Sequence, residues 1–299
     1  MPKAKVYFIK EITPENIIKA YNAVGKKLTG KVAVKMHSGE KGNQNYLRPE
    51  FVKDMVNYVD GTVVECNTAY EGARNSTEKH KELIKEHEWD KYFPFDLLDE
   101  EGPDMELDVP NGKVLKKNHV GKDLAKYDSL LVLSHFKGHA MGGYGGALKQ
   151  LSIGCASSKG KTLIHTAGKV EDQTELFNNL PEQDRFLEAM ADAAESVVNY
   201  FNGNAVYINI MKNISVDCDC DGNASAPCMK DVGILASLDP IAIDQACLDL
   251  VYNSTDPGKD ALIKRIESLH GIHTVEAASD LGFGTRQYEL INIDEKEGK

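Results

Sequence analysis

The sequence has no apolar run approaching the ~20 residues that cross a bilayer. Its opening stretch, MPKAKVYFIKE, has no signal-peptide core, because Lys10 and Glu11 end the apolar run early. The expectation is a cytoplasmic protein. Positive charge is also scarce: 46 Asp and Glu face 35 Lys and Arg, a formal net charge of −11. No global field then draws the chain to nucleic acid or to an anionic membrane, and neither is expected as a partner. There is no internal repeat, no low-complexity linker and no C-x-x-C-x-x-C run of the ferredoxin kind. The six cysteines, in a reducing compartment, read as thiols, core residues or ligands rather than disulfides.

One scarcity is local. Residues 129–170 contain no Asp or Glu, where even scatter would place about six. The same window holds Lys137, Lys149, Lys159, Lys161 and Lys169 with three histidines. It opens on an apolar run, 129–133, that reads as a buried strand. Gly138, Gly142, Gly143, Gly145, Gly146 and Gly154 follow, and residues 147–153 suit a short helix carrying Lys149. A strand, a glycine loop, a helix start and local positive charge together make an anion cradle, because free backbone N–H groups and the helix dipole both favour negative charge.

What remains is globular: 299 residues, 41% apolar and 27% charged. Strand-like runs at 5–9, 31–36, 61–65, 129–133, 206–210, 232–236 and 288–293 alternate with helical patterns. The helices are expected at about 14–28, 49–58, 76–88, 181–201, 240–252 and 258–270, with 165–179 irregular. Thr13-Pro14 and Asp239-Pro240 are N-cap and first-turn pairs. The expected fold is α/β, a mainly parallel (mixed) sheet flanked by helices in one domain, 1–299. The acid-rich stretch 93–118 reads as a small subdomain or hairpin excursion with a solvated acidic face.

In open α/β sheets ligands bind beyond the carboxyl ends of the strands. Four such ends carry unusual polar residues: Lys35 and His37; Glu65, Cys66 and Asn67 with Arg74 nearby; the glycine stretch; and residues 213–228. The last contains DCDCDGNASAPC, with Cys218, Cys220 and Cys228 inside eleven residues. Thiolates suit zinc, iron–sulfur clusters and copper(I). An EF-hand reading of Asp217, Asp219, Asp221 and Gly222 fails, because position twelve is Cys228 and the flanks are strand-like. The expected metal ligands are Cys218, Cys220 and Cys228, with His135 and His139 completing or flanking them. The expected anion contacts are Lys35, His37, Lys137, Gly142, Gly143, Gly145, Gly146 and Lys149. Glu65, Asn67, Cys155 and Asp244 are weaker candidates. Cys155 earns its place through the lysines of the neighbouring SSKGK, which would lower a thiol pKa. Cys66 and Cys247 read as core.

Residues 35–39, Glu65-Cys66-Asn67-Thr68, the block 134–149 and the stretch D-C-D-C…D-x-G-I-L-A-S…D-x-x-A-x-D-x-A together resemble an uncharacterised prokaryotic family. It is the domain of unknown function 362 family, whose members are often described as Fe–S centre proteins. The resemblance covers nearly the whole chain. It implies an Fe–S link, and many members carry a ferredoxin-type insertion with two four-cysteine motifs. Here residues 166–180 hold only a short polar segment without cysteine, so those clusters are not expected. What carries over is a role for Cys218 and Cys220. The chain therefore reads as a metal- or Fe–S-binding protein, a redox or metal-dependent enzyme acting on a small anionic substrate, with zinc, iron or a cluster as cofactor. Two other readings stand beside it: a non-catalytic binding protein for a phosphorylated or carboxylated molecule, and a partner of a separate ferredoxin.

Overall fold

Two seven-residue strands, β7 (Ser129–His135) and β10 (Ala205–Met211), are buried along their whole length and form the middle of the sheet. The computed structural model describes residues 3–294. The other strands of the main sheet are β1 (Ala4–Ile9), β2 (Val32–Lys35), β3 (Gly61–Glu65), β4 (Phe95–Leu97), β11 (Gly233–Ser237) and β12 (Tyr288–Asn292). Their order is β12-β1-β11-β10-β7-β2-β3-β4. Side chains alternate strictly between the two faces. In β7, Leu130 and Val132 join one core while Leu131 and Leu133 join the other; in β10, Tyr207 and Met211 oppose Val206, Ile208 and Ile210. A strand covered on both faces is apolar along most of its length, here with Ser129, Ser134, His135 and Asn209 as buried polar exceptions, so these runs show no period-two alternation in sequence.

Helices cover both faces. α1 (Pro14–Ala23), α2 (Pro49–Tyr58) and α3 (Thr77–Glu86) contribute Ile17, Met55 and Ile84 to one core. α4 (Ala147–Leu151), α6 (Gln183–Phe201), α7 (Pro240–Tyr252), α8 (Lys259–Ser268) and α9 (His273–Leu281) contribute Leu148, Ala194, Ile243, Leu262 and Val275 to the other. No helix among the described residues is long and apolar enough to cross a membrane. The fold is α/β with a mostly parallel, mixed sheet, as expected. Only β11 is reversed, pairing antiparallel with both β1 and β10. The reason is its connection: residues 212–232 leave β10 and return without a crossover helix, and a direct return gives an antiparallel neighbour. That connection carries Cys218, Cys220 and Cys228.

Several boundaries differ from the sequence reading. α1 stops at Ala23 rather than near residue 28, because Gly25 takes φ 75° and ends the helix. A helix at α5 (Ser158–His165) occupies residues read as loop. Ser157 caps it by accepting from the Gly160 N–H at 3.1 Å, and Gly160 lies so close to the His119 carbonyl that a Cβ would meet it at 1.9 Å. The glycine that disguised the helix is required by that contact. The stretch 93–118 supplies β4 at the sheet edge and half of an antiparallel hairpin, β5 (Met105–Asp108) with β6 (Lys117–Val120). Its acids are not all solvated: Asp99 accepts from the Asn67 and Ser158 amides. The glycine stretch is a hairpin too, β8 (Lys137–His139) with β9 (Gly143–Gly145).

The hairpin delivers the chain into α4, whose start is held by Asp244 of α7. Its carboxylate accepts from the Ala147 N–H at 2.8 Å, the Leu148 N–H at 3.0 Å and the Asn209 amide at 2.7 Å. Asp244 is fully buried, and burial pushes its carboxyl up to about 6 against the pull of those hydrogen bonds. Asp244→Ala would leave buried donors unsatisfied and should lower unfolding free energy by about 3 kcal/mol or more. Asp244→Asn, which keeps one acceptor, should fall in between. Urea unfolding of the three proteins checks both.

Candidate functional site

From β2 the chain moves outward to β3 and β4, then returns to lay β7 against the other side of β2. Strand order therefore reverses between β2 and β7, and a crevice opens beyond their carboxyl ends. The segment after β2 lies on one side of it, and the glycine hairpin and α4 lie on the other. The connections after β3 and β10 close over it. The Glu40 N–H donates to the Asp219 carbonyl at 2.7 Å, and the Asn43 amide donates to the carbonyls of Cys218 and Asp221 at 3.3 and 2.8 Å. The four polar strand ends thus meet at one place.

Four lysines are buried there: Lys35, Lys137, Lys149 and Lys161, none more than 8% exposed. Lysine is seldom buried without a partner. Lys137 donates to Asp219 at 2.6 Å, and His135 bonds the same carboxylate at 2.8 and 3.0 Å. Burial alone would raise the Asp219 carboxyl, but His135 and Lys137 hold it well below the usual carboxylate range. Lys149 donates to Cys218 Sγ at 2.9 Å. Lys35 is held by the Met36 carbonyl and by Gln150 Oε1, the latter at 2.9 Å, and burial lowers its ammonium. Lys161 donates to the Ala156 carbonyl at 2.6 Å. Opposite them, Glu65 accepts from Arg74 at 3.0 Å, from the Ser38 N–H at 3.1 Å and from His80 at 3.3 Å.

The two thiols of the C-x-C pair behave differently. Burial would raise Cys218, but a hydrogen bond from the Cys220 thiol and the charges of Lys149 and Lys137 hold it well below an ordinary thiol. The same bond, with burial, pushes Cys220 well above. The geometry favours negative charge on Cys218, whose Sγ accepts from the Lys149 ammonium at 2.9 Å and from the Cys220 N–H at 3.4 Å. One donor atom each from His37, Cys218 and Cys220 lies within 4.8 Å of the others. Burial, aided by Arg74, lowers His37 well below its ordinary value, so its imidazole is neutral; its Nδ1 accepts from the Gly39 N–H at 3.0 Å, a contact that ligation through Nδ1 would have to replace.

The structure redistributes the expected roles. Cys228 is not in this group; it is half-buried and donates to the Ile214 carbonyl at 3.3 Å. Neither His135 nor His139 joins it. Both ring nitrogens of His135 face acceptors, Asp219 and the Lys212 carbonyl, leaving no lone pair for a metal. His139 Nδ1 accepts from the Met141 and Gly142 N–H groups at 3.2 and 2.8 Å, which puts its proton on Nε2. Gly142, Gly143, Gly145 and Gly146 do not offer an open anion cradle, since the start of α4 is already filled by Asp244. Two of them are small because neighbours press on them: a Cβ on Gly146 would meet Asp244 at 2.4 Å, and Gly143, at φ 79°, abuts Gly271. Asn67 holds loops, bonding Thr77, His80 and Asp99. Cys155 is fully buried, and burial pushes its thiol up to about 11 despite Lys35 and Lys161, so it is no thiolate nucleophile. His37, expected on an anion, stands both with the thiols and in the lining of the inner chamber.

Two cavities adjoin the trio. The inner chamber, of about 40 Å³, is lined by Lys35, His37, Glu65, Arg74, Lys149, Gln150, Lys161 and Cys220 among others. The outer cleft, of about 340 Å³, is lined by His139, Met141, His165, Leu176 and Phe177 among others. Tyr70 and Cys220 border both. In the cleft His165 Nδ1 donates to the Lys161 carbonyl at 2.7 Å, leaving Nε2 as an acceptor, and its ring stacks on Phe186. His139 and His165 therefore offer the cleft one donor and one acceptor. Sequence reasoning passed over Lys161, Tyr70, Gln150 and His165, and noted Arg74 only as a neighbour. The signal was present for Lys161 and His165, which lie in the acid-free window.

The model of the family described as Domain of unknown function (DUF362) matches residues 32–249, which contain every residue of the trio and both cavities. No curated protein matches the chain. Among solved structures, the lactate racemase apoprotein from Thermoanaerobacterium thermosaccharolyticum is similar, with TM-score 0.46 and 12% identity over 83% of this chain and 57% of that one. A protein from Thermotoga maritima is similar with TM-score 0.43 and 10% identity, over 91% of this chain and 60% of that one. The chain thus spans less than two thirds of either.

Three buried imidazoles at the site are kept neutral in the folded protein. His165 is lowered to about 4, chiefly by burial and then by Lys149 and Lys161, against its bond to the Lys161 carbonyl; His37 and His139 are lowered well below their ordinary value. The unfolded chain binds protons on them below pH ~6.5. Their contribution to stability is therefore complete above pH ~6.5 and is lost as pH falls toward the folded values. For His165 that is on the order of 3 kcal/mol. Denaturant unfolding between pH 4 and 7.5 should show stability falling with acidification, with a shallower fall in His165→Gln.

Proposed function

The chain belongs to the DUF362 family, and from that premise and the geometry of its crevice we propose that it is a cytoplasmic, metal-dependent enzyme acting on a small anionic substrate. The observation that carries this reading is the convergence of His37, Cys218 and Cys220 at the wall of a cationic chamber. One imidazole and two sulfurs make a three-donor set that suits a single zinc or iron ion with a coordination position left for substrate or water. Such an ion would supply Lewis-acid or redox chemistry beside the chamber. The protein's own groups do the rest. Lys149 holds Cys218 Sγ, the Lys137–Asp219–His135 cluster holds the loop that carries it, and Cys220 would give up its proton on ligation. Arg74, Lys35 and Lys161 attract the substrate's negative group. His139 and His165, both neutral, stand ready to donate and accept a proton in the cleft.

Protein purified without oxygen should carry about one zinc or iron ion per chain. Cys218→Ser and His37→Ala should lose it, whereas Cys228→Ser should keep it. Metal retained in Cys218→Ser, or stoichiometric metal absent from the wild type, would overturn the assignment. Iron with labile sulfide would replace the single ion by a cluster.

A further inference from the structure

Arg74 is only 2% exposed, yet its guanidinium is not fully used. Nε donates to Glu40 at 3.1 Å and Nη1 to Glu65 at 3.0 Å, while Nη2 is buried with no hydrogen-bond partner. An unpaired buried donor on a charged group is costly, so it marks a place where something else binds. Arg74 lines the inner chamber with Lys35, Lys149 and Lys161, and among the described residues Glu65 is the only carboxylate lining it. The chamber's surplus of positive charge calls for an anion. Its volume of about 40 Å³ has room for roughly three water-sized groups, as many as the heavy atoms of a carboxylate and fewer than those of a phosphate.

The adjoining cleft has the opposite character. Its volume is about 340 Å³, and Ala140, Met141, Leu176 and Phe177 give it an apolar wall. Phe177 is 62% exposed, an unusual position for a large aromatic that serves only packing. Glu71 and Asp221 stand on the rim of the same cleft. A second negative charge on the ligand would meet them.

We propose that the ligand of this site is a monocarboxylate with an apolar body: the carboxylate enters the chamber onto the free Nη2 of Arg74, and the body lies in the cleft against Met141, Leu176 and Phe177. This deepens the functional reading above by naming the substrate class of the same site, but it rests on the arginine and the cleft and not on the metal.

Because Arg74 also ties Glu40 to Glu65, the test varies the ligand and the cleft rather than the arginine. Calorimetric titration and thermal shift at pH 7 would compare hexanoate, acetate, hexanamide, adipate and inorganic phosphate. Hexanoate should bind and raise Tm, acetate should bind more weakly, and hexanamide and adipate should each bind at least about tenfold more weakly than hexanoate. Phosphate should show no shift. Phe177→Ala, at an exposed position that leaves the fold intact, should weaken hexanoate about fivefold and leave acetate unchanged. Hexanoate binding kept by metal-free Cys218→Ser would sustain the inference even if the metal assignment fails. Hexanamide or adipate binding as well as hexanoate, phosphate binding more tightly than any carboxylate, no binding by hexanoate, or an unaltered hexanoate affinity in Phe177→Ala would each overturn it.

Discussion

Burial of cationic side chains at one sheet edge is the constraint around which this protein is arranged. Lys35, Lys137, Lys149, Lys161 and Arg74 are all nearly inaccessible to water. Each isolated charge would cost several kcal/mol in such a place. The surrounding sequence supplies compensation one partner at a time: Asp219 for Lys137, the Cys218 thiolate for Lys149, Glu40 and Glu65 for Arg74, and carbonyl or amide oxygens for Lys35 and Lys161. The compensation stops one step short. Nη2 of Arg74 is left over, and the chamber beside it keeps a net positive lining. Stability alone does not select for such an arrangement.

The reversed strand serves that constraint directly. Because β10 returns through β11 without a helix, twenty-one residues, 212–232, are freed to fold over the crevice. They bring Asp219 down between His135 and Lys137 and place Cys218 against Lys149. The glycine hairpin makes room for them: a Cβ on Gly138 would meet the Val216 carbonyl at 2.2 Å. The smallness of that segment thus answers to the cysteine loop, Asp244 and Gly271, and not to a phosphate. Asp244, reaching from α7, sets the start of α4 and with it the position of Lys149 two residues on.

The sheet was legible because its strands are continuous apolar runs bounded by polar ends, and those ends named the crevice before its geometry was known. Lys35, His37, Glu65, Lys149, Cys218 and Cys220 were all visible as chemistry at strand termini. The division of labour among them was not. A hydrogen-bond donor set looks like a ligand set in sequence, and only the carbonyl of Lys212 and the N–H groups of Met141 and Gly142 show that His135 and His139 are already engaged. Lys161 and His165 lay in the acid-free window, but the helix α5 that carries them reads as a loop because Gly160 interrupts it. Arg74 was hidden because its significance lies in the one bond it does not make.

The charge of the chamber also bears on how metal and substrate would coexist. With negative charge held on Cys218 and the proton on Cys220, ligation of a divalent ion would release that remaining thiol proton. The local charge would then rise by about one unit, two from the ion less one from the proton. Under the reading proposed above, loading a metal would make the chamber more cationic and strengthen its demand for an anion. An anionic ligand in turn offsets the repulsion between the ion and Lys149, which lies 2.9 Å from Cys218 Sγ. Each would bind better in the presence of the other, by linkage through the field alone and with no movement of the protein.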